Sequence, residues 1–347
     1  MAKERNNMIN RLKMLLKNLI LICVCVPACL LSAWSSKSVA ADKEITRLRA
    51  TVLPYFGFAP LYIAEAEGFF ADEGLAVEFV PLKGHAESLP ALLRGEIDIE
   101  TMFSVGLLNA ISRGENIRAV AGRGTMAPNA CPYSAFLVRP GKAAEISAMK
   151  AEDLRQLTFG VDPIWLDGFF LHQWLGKRGL SLQDVKTKYL PAPAARLEAL
   201  RQGSLDAVFV SEPWITKALE SNAGELWLPA SEVAPDFPLN TIAFGPSMLS
   251  RTDDAGVRFL RAYLRAVARY AEGKTPRNIE ILAKATKLDA DLLHRMCWPV
   301  FPLDGNIDAE SIVRFSVWAH QQGRADRPLA SADEIWAPEF LEKARQK

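Results

Sequence analysis

The phrase "ALLRGEIDIETM", Ala91 to Met102, returns as "ALRQGSLDAVFV", Ala199 to Val210. Both read Ala-Leu, two residues, Gly, one residue, an aliphatic residue and Asp, and both then run into apolar chain. Each phrase closes a series of the same order. In the first, "LRATVL", "AVEFV" and "IDIETMF" read as strands, separated by the helix-period segments "APLYIAEAEGFF" and "AESLPALLRG". In the second, the strands are "LTFGV", "VKTKYL" and "DAVFV", and the helices are "GFFLHQWLGKRGL" and "AARLEALRQG". A βαβαβ order requires parallel strands with helices packed on the sheet. Gly95 and Gly203 stand where a helix ends on a residue tolerant of positive φ, and Asp98 and Asp206 follow at the start of a strand. Gly74 and Gly179 close the preceding helices in the same way, each followed by Leu.

One supersecondary unit used twice implies two similar α/β lobes, and open sheets of this kind bind ligands at the carboxyl ends of their strands. The second lobe is expected over about Gly141 to Leu228, flanked by "SAFLVRPG" and "LNTIAFG", which read as strand-like crossovers. Helical segments follow, notably "AGVRFLRAYLRAVARYAEG". The expected division is therefore 1–41 as a leader, 42–138 as the first part of lobe 1, 139–230 as lobe 2 and 231–347 as the return to lobe 1. Two crossovers make a hinge, and closure about a hinge is one way to enclose a ligand.

The leader is read from Lys3, Arg5, Arg11, Lys13 and Lys17, the apolar stretch Leu19 to Leu31 and the small residues "SVAA". This fits a secretory signal peptide cut after Ala40 or Ala41, and so a periplasmic protein. An uncleaved anchor would need about 20 apolar residues. A lipoprotein signal at "VPAC", attaching through Cys29, is the third reading. Outside the leader only Cys131 and Cys297 remain, either as one disulfide or as two separate buried thiols. With 41 basic and 40 acidic side chains the net charge is +1, which gives no field for gathering a polyanion, so nucleic acid is not an expected partner.

In the order of its segments the chain resembles periplasmic solute-binding proteins of ABC importers, in the branch that binds nitrate, alkanesulfonates, taurine and thiamine precursors. The residues that carry the resemblance are "APLYIAEAEGFFADEGLAVEFVPLKG" with "ALLRGEIDIE", then "DLRQLTFGV", "GLSLQDVKTKYL", "ALRQGSLDAVFVSEPW" and "FLRAYLRAV". It implies the two-lobed periplasmic binding protein fold of type II, one cleft, no catalysis, and delivery of a small-molecule ligand to a transmembrane permease with its ATPase. A monomer is expected.

Five loops after strands are expected at the cleft. In "PYFGF", Tyr55, Phe56 and Phe58 offer a flat apolar wall or core packing, with Gly57 allowing close approach. In "KGHAES", Gly84 and His85 precede a helix whose N-H groups can hold an anion or a carbonyl, a placement made by analogy with the family. Ser104 follows the third strand beside Met102 and Phe103. In "VDPIWLDGFF", Asp162, Trp165 and Asp167 could receive a nitrogenous ring, or Asp167 could cap a helix while Asp162 fixes a turn. In "VSEPW", Ser211, Glu212 and Trp214 offer polar contact, or Glu212 serves a helix dipole. Carboxylates with aromatics favour a thiamine-type pyrimidine or another heteroaromatic over a sulfonate-like or nitrate-like anion.

An enzyme is the rival class. A eukaryotic relative in the branch this chain resembles makes the thiamine pyrimidine with a cysteine-rich motif, and that cluster is absent here. No G-x-S-x-G, H-E-x-x-H or Walker phosphate loop occurs. "GRGTMA", Gly122 to Ala127, mimics a dinucleotide fingerprint but is followed by "PNACP", which reads as a loop near the hinge. Histidines 85, 172, 294 and 320 show no ligand spacing, so neither a metal nor a cofactor is expected. A periplasmic sensor that uses the same cleft is the third class.

Overall fold

The computed structural model describes residues 45–81 and 85–346, with no side-chain description at 85 and 86. The expected leader 1–41 and Gly84 lie outside the described residues. From Ile45 onward the chain forms one unit built on two five-stranded sheets. The first holds β1 (Thr46–Val52), β2 (Leu75–Pro81), β3 (Ile99–Glu100), β4 (Arg118–Gly122) and β10 (Thr241–Phe244), in the order β2-β1-β3-β10-β4. The second holds β5 (Ser134–Val138), β6 (Thr158–Gly160), β7 (Lys186–Thr187), β8 (Ala207–Ser211) and β9 (Glu225–Pro229), in the order β7-β6-β8-β5-β9. In each sheet the first three strands of the series are parallel and the strand beside them is antiparallel.

The repeated phrase has one physical job in both sheets. The helices His85–Leu93 and Pro193–Arg201 are followed by Gly95 at φ 68° and Gly203 at φ 73°, left-handed backbone that a glycine adopts without a Cβ penalty. The aspartate that follows docks on the first strand of its series. The Asp98 N-H donates to the Arg49 carbonyl at 2.8 Å while its carboxylate accepts the Arg49 N-H at 2.8 Å. Asp206 repeats this on Thr158, at 2.8 and 2.9 Å. Each aspartate thereby satisfies an amide of a central strand, Arg49 midway along β1 and Thr158 at the start of β6, which would otherwise be left unpaired as the loop covers it.

Several expected elements differ in extent. Gly68, at φ 75°, splits the expected first helix into Ala59–Ala66 and Phe69–Asp72. The segments expected as crossovers are themselves interior strands: all five residues of β5 and all four of β10 are buried. Short apolar runs look alike whether they bridge lobes or lie inside a sheet. The second sheet thus begins at Ser134, and the links between sheets are residues 123–133 and 230–240.

Those links pair with each other. Arg123 N-H donates to the Asn240 carbonyl at 2.8 Å, Leu239 N-H to Gly124 at 2.9 Å, and Met126 N-H to Phe237 at 2.9 Å. A third segment joins where Thr125 N-H meets the Val300 carbonyl at 2.9 Å. Cys131 and Cys297 form a disulfide across this knot, with Cα atoms 5.5 Å apart, so the reading as two separate thiols is set aside. The helix Ala309–Gln321 also bridges the sheets. The buried ring of Phe315 has its centroid 5.6 Å from Phe103 of the first lobe, 5.3 Å from Phe169 of the second and 6.2 Å from Phe237 of the second link. One hydrophobic cluster consequently runs through both lobes.

Candidate functional site

Because β1, β3 and β4 point the same way, their carboxyl ends share one edge of the first lobe. The loops on that edge meet the second lobe directly: the half-buried Trp165, after β6, lies 6.3 Å from Phe103, after β3. This juxtaposition is the candidate cleft.

The apolar wall expected from "PYFGF" is not built. The residues Phe56–Phe58 form one turn of 3₁₀ helix that swings both phenylalanines inward. Phe56 is buried against Trp298 at 5.0 Å, and Phe58 lies beneath the Arg123 guanidinium at 3.9 Å, while Tyr55 is 63% exposed. Among the other expected residues, His85 begins a helix, and its side chain is outside the described residues. Ser104 caps the helix Val105–Ser112 by accepting the Leu107 N-H at 3.0 Å.

In the second lobe, Asp162 accepts the Ile164 N-H at 3.1 Å in a turn at Pro163. Asp167 is buried and does not cap its helix in the simple way. Its Oδ2 receives the Asp162 N-H at 2.9 Å and Arg196 Nη1 at 3.0 Å. Burial pushes its pKa up to about 6 although Arg196 pulls the other way. Its charge is matched inside the lobe. Ser211 pairs with Ser134, oxygen to oxygen at 2.7 Å. Glu212 is buried and accepts both the N-H and the hydroxyl of Thr216, at 3.0 and 2.8 Å, and the Cys297 N-H at 3.0 Å. It ties the second lobe to the disulfide knot. Trp214 carries Lys217 over its ring at 4.9 Å.

The structure also assembles residues that the sequence reading passed over. Arg123, at the end of β4, is 3% exposed. Its Nε donates to the Thr101 carbonyl at 2.5 Å and its Nη1 to the Gly57 carbonyl, while Phe58 covers one face. Tyr133, on the first link, brings its phenol oxygen beside Gly57. A Cβ at Gly57 would stand 3.3 Å from Arg123 Nη1 and 3.8 Å from Tyr133 Oη, so the glycine makes room for both. Burial lowers the Arg123 pKa to about 10 and raises that of Tyr133 to about 12. Glu100, at the end of β3, is also buried. It accepts Thr51 Oγ1 and the N-H groups of Thr101 and Met102, each at 2.9 Å, and burial raises its pKa. The signal for Arg123 was an arginine between two glycines directly after an apolar strand in "VAGRG". Among the described residues no cluster of three or more His, Cys, Asp or Glu could hold a metal ion.

Solved structures of similar shape define the class. The chain superposes on the periplasmic aliphatic sulphonate binding protein SsuA from Escherichia coli with a TM-score of 0.67 and 17% identity, covering 85% of this chain and 99% of that one. It matches the periplasmic nitrate-binding protein NrtA from Synechocystis PCC 6803 with a TM-score of 0.67 and 15% identity, over 87% and 89% of the two chains. The desulfurization enzyme DSZB has the same architecture, with a TM-score of 0.60 and 14% identity over 86% and 98%. The fold is therefore the two-lobed type II periplasmic binding protein fold.

The chain belongs to the NMT1-like family, whose model matches residues 41–287. Among curated relatives, it is 25% identical over 265 residues to the bicarbonate transport ATP-binding protein CmpC of Synechocystis, which covers 72% of this chain. The chain spans only 39% of that relative's length. The resemblance to solute-binding proteins of the nitrate and sulfonate branch, drawn from the sequence, is thus met again in the family and the fold.

Proposed function

We propose that this protein is the substrate-binding component of an ABC-type importer, working outside the cytoplasmic membrane and handing a small solute to a permease with its ATPase. The observation that carries the reading is the meeting of Phe103 and Trp165, loops from the carboxyl ends of two sheets built in the same strand order. The names of similar proteins support it: sulphonate, nitrate and bicarbonate transport components. No helix of the described residues is long and apolar enough to cross a membrane.

A thiamine-type pyrimidine ranks second among ligands. Trp165 at the meeting of the lobes favours a ring, but Asp167 already answers Arg196. Catalysis on this fold, as the name of DSZB indicates for that protein, is the rival. Both cysteines outside the leader are joined in a disulfide, so neither is a free thiol nucleophile. Domain closure about the links 123–133 and 230–240 belongs to the proposal as well. Its amplitude is restrained by the aromatic cluster at Phe315 and by the Glu212 bond to Cys297.

A thermal-shift and calorimetry panel on the chain from Asp42 tests the reading. It would contain alkanesulfonates, taurine, nitrate, bicarbonate, nucleobases and the thiamine pyrimidine. A ligand at a hundredfold excess over Kd stabilises the native state by about 2.7 kcal/mol. One such ligand, recovered unchanged after incubation, supports binding. Turnover of any member would replace the importer reading with the enzyme.

A further inference from the structure

Residues 295–300, at the end of the helix Ala290–Arg295, are held from two sides. Toward the first lobe, Trp298 stacks on Tyr270 at 5.2 Å and packs against Phe56 at 5.0 Å, and the Tyr270 hydroxyl donates to the Pro299 carbonyl at 2.8 Å. Toward the second lobe, the Cys297 N-H donates to Glu212 at 3.0 Å, and Arg295 Nε pairs with Glu220 of the helix Trp214–Glu220 at 2.5 Å. The Val300 carbonyl accepts the Thr125 N-H of the first link at 2.9 Å. The covalent tie is the disulfide to Cys131, just before β5. Its ends are 166 residues apart, and the whole second sheet lies between them. Without that bond the segment would meet the second lobe through the Glu212 hydrogen bond and an exposed ion pair, which contributes little. The bond is also open to attack from solution: Cys131 is exposed and Cys297 half-buried. Exposed disulfides are the ones that reductants reach.

We infer that the Cys131–Cys297 disulfide is a redox-sensitive clasp on the links: when formed, it binds the first link to residues 295–300 and limits rotation of the lobes, and a dithiol reductant releases it. Its consequence for solute capture rests on the domain closure proposed above. A thiolate of the reductant attacks the sulfur of Cys131, the S–S bond breaks, and Cys297 leaves as a thiolate that takes up a proton. The reductant's second thiol then loses its proton and displaces Cys131, whose thiolate is protonated in turn. The protein gains two electrons and two protons, and the reductant ends as a disulfide. A cross-link over so long a loop also stabilises the whole fold by restricting the unfolded chain, so a clasp must show an effect on the links beyond that common one.

Hydrogen exchange on the chain from Asp42, without ligand, tests this in the oxidised protein, after dithiothreitol, and in the Cys131→Ser/Cys297→Ser double variant. Iodoacetamide labelling without denaturant should find no free thiol before dithiothreitol and both thiols after it. Reduction should accelerate exchange of the link amides of Thr125, Met126 and Leu239 by about 10-fold beyond any acceleration in strands β1 and β5. The double variant should match the reduced protein whether or not dithiothreitol is present. Link amides that accelerate no more than the strands overturn the inference, since the bond then stabilises the fold as a whole. A disulfide that dithiothreitol leaves closed in the native protein overturns it too. If the double variant does not fold, the reduced wild type decides. No ligand enters these measurements, so the importer reading can fail in its own panel while the clasp stands, and the reverse.

Discussion

Each lobe sets an arginine and a buried carboxylate near the carboxyl ends of its strands, Arg123 with Glu100 in the first and the half-buried Arg196 with Asp167 in the second, and the two lobes treat them differently. In the second, Arg196 and Asp167 meet at 3.0 Å and the charges cancel locally. In the first, Glu100 and Arg123 are both buried but turn to separate neutral partners. The repeat makes the two frames alike down to the aspartates that dock the loops, Asp98 and Asp206. Likeness of frame therefore does not imply likeness of electrostatics. A directly bonded ion pair braces its own lobe, whereas Arg123 is held by two carbonyls and a ring and feels Glu100 only at a distance.

Breaking the second lobe's pair should have the largest effect. Arg196→Ala strands a buried carboxylate and removes donors to the Leu190 and Phe209 carbonyls, with an expected loss of about 3–5 kcal/mol in urea unfolding. Combining Asp167→Asn with Arg196→Met should recover much of that loss. A single Arg196→Ala variant as stable as wild type would mean that the two lobes do not differ in this respect.

A smaller effect is expected where the first lobe makes room for its arginine. Gly57→Ala places a methyl 3.3 Å from Arg123 Nη1, and overpacking of this kind is worth about 1–3 kcal/mol. Gly176, the last residue of the helix Leu166–Gly176 of the other lobe, has nothing within 4 Å of an added Cβ. There the same substitution should be neutral or stabilising, by up to about 1 kcal/mol. Melting temperatures of the two variants, measured side by side, give the contrast, and equal shifts would remove the special role of Gly57.

A further effect is one of pH. Asp167 holds its proton up to about 6 in the native state and releases it in the ordinary carboxylate range when unfolded. Between those values the native state binds more protons, so this group's contribution is full at acid pH and is lost as pH rises through about 6. The unfolding free energy of wild type minus that of Asp167→Asn should fall with rising pH, by no more than about 1.4 kcal/mol per unit, and level off near neutrality. A difference that rises instead would show that attraction to Arg196 outweighs burial, which would sharpen the contrast between the lobes.

The sequence by itself determined the repeated frame. Glycines that end helices, aspartates that precede strands and the spacing of apolar residues act over a few positions, so the βαβαβ series that closes on "ALLRGEID" and again on "ALRQGSLD" could be read along the chain, while the antiparallel strands β5 and β10 could not. It also set the class of fold, since two such frames joined twice leave few other arrangements. Only the tertiary structure decided which side chains the site keeps. Phe56 and Phe58 turned inward because a single 3₁₀ turn, invisible to periodicity, rotates them into the core. Asp167 lost its free charge to an arginine 29 residues away, and Cys131 found a partner 166 residues away. Arg123 gained its standing from carbonyls 22 and 66 residues back and from the carboxylate that never came. Backbone preference is local and legible along the chain, but charge compensation depends on what folding brings within a few ångströms.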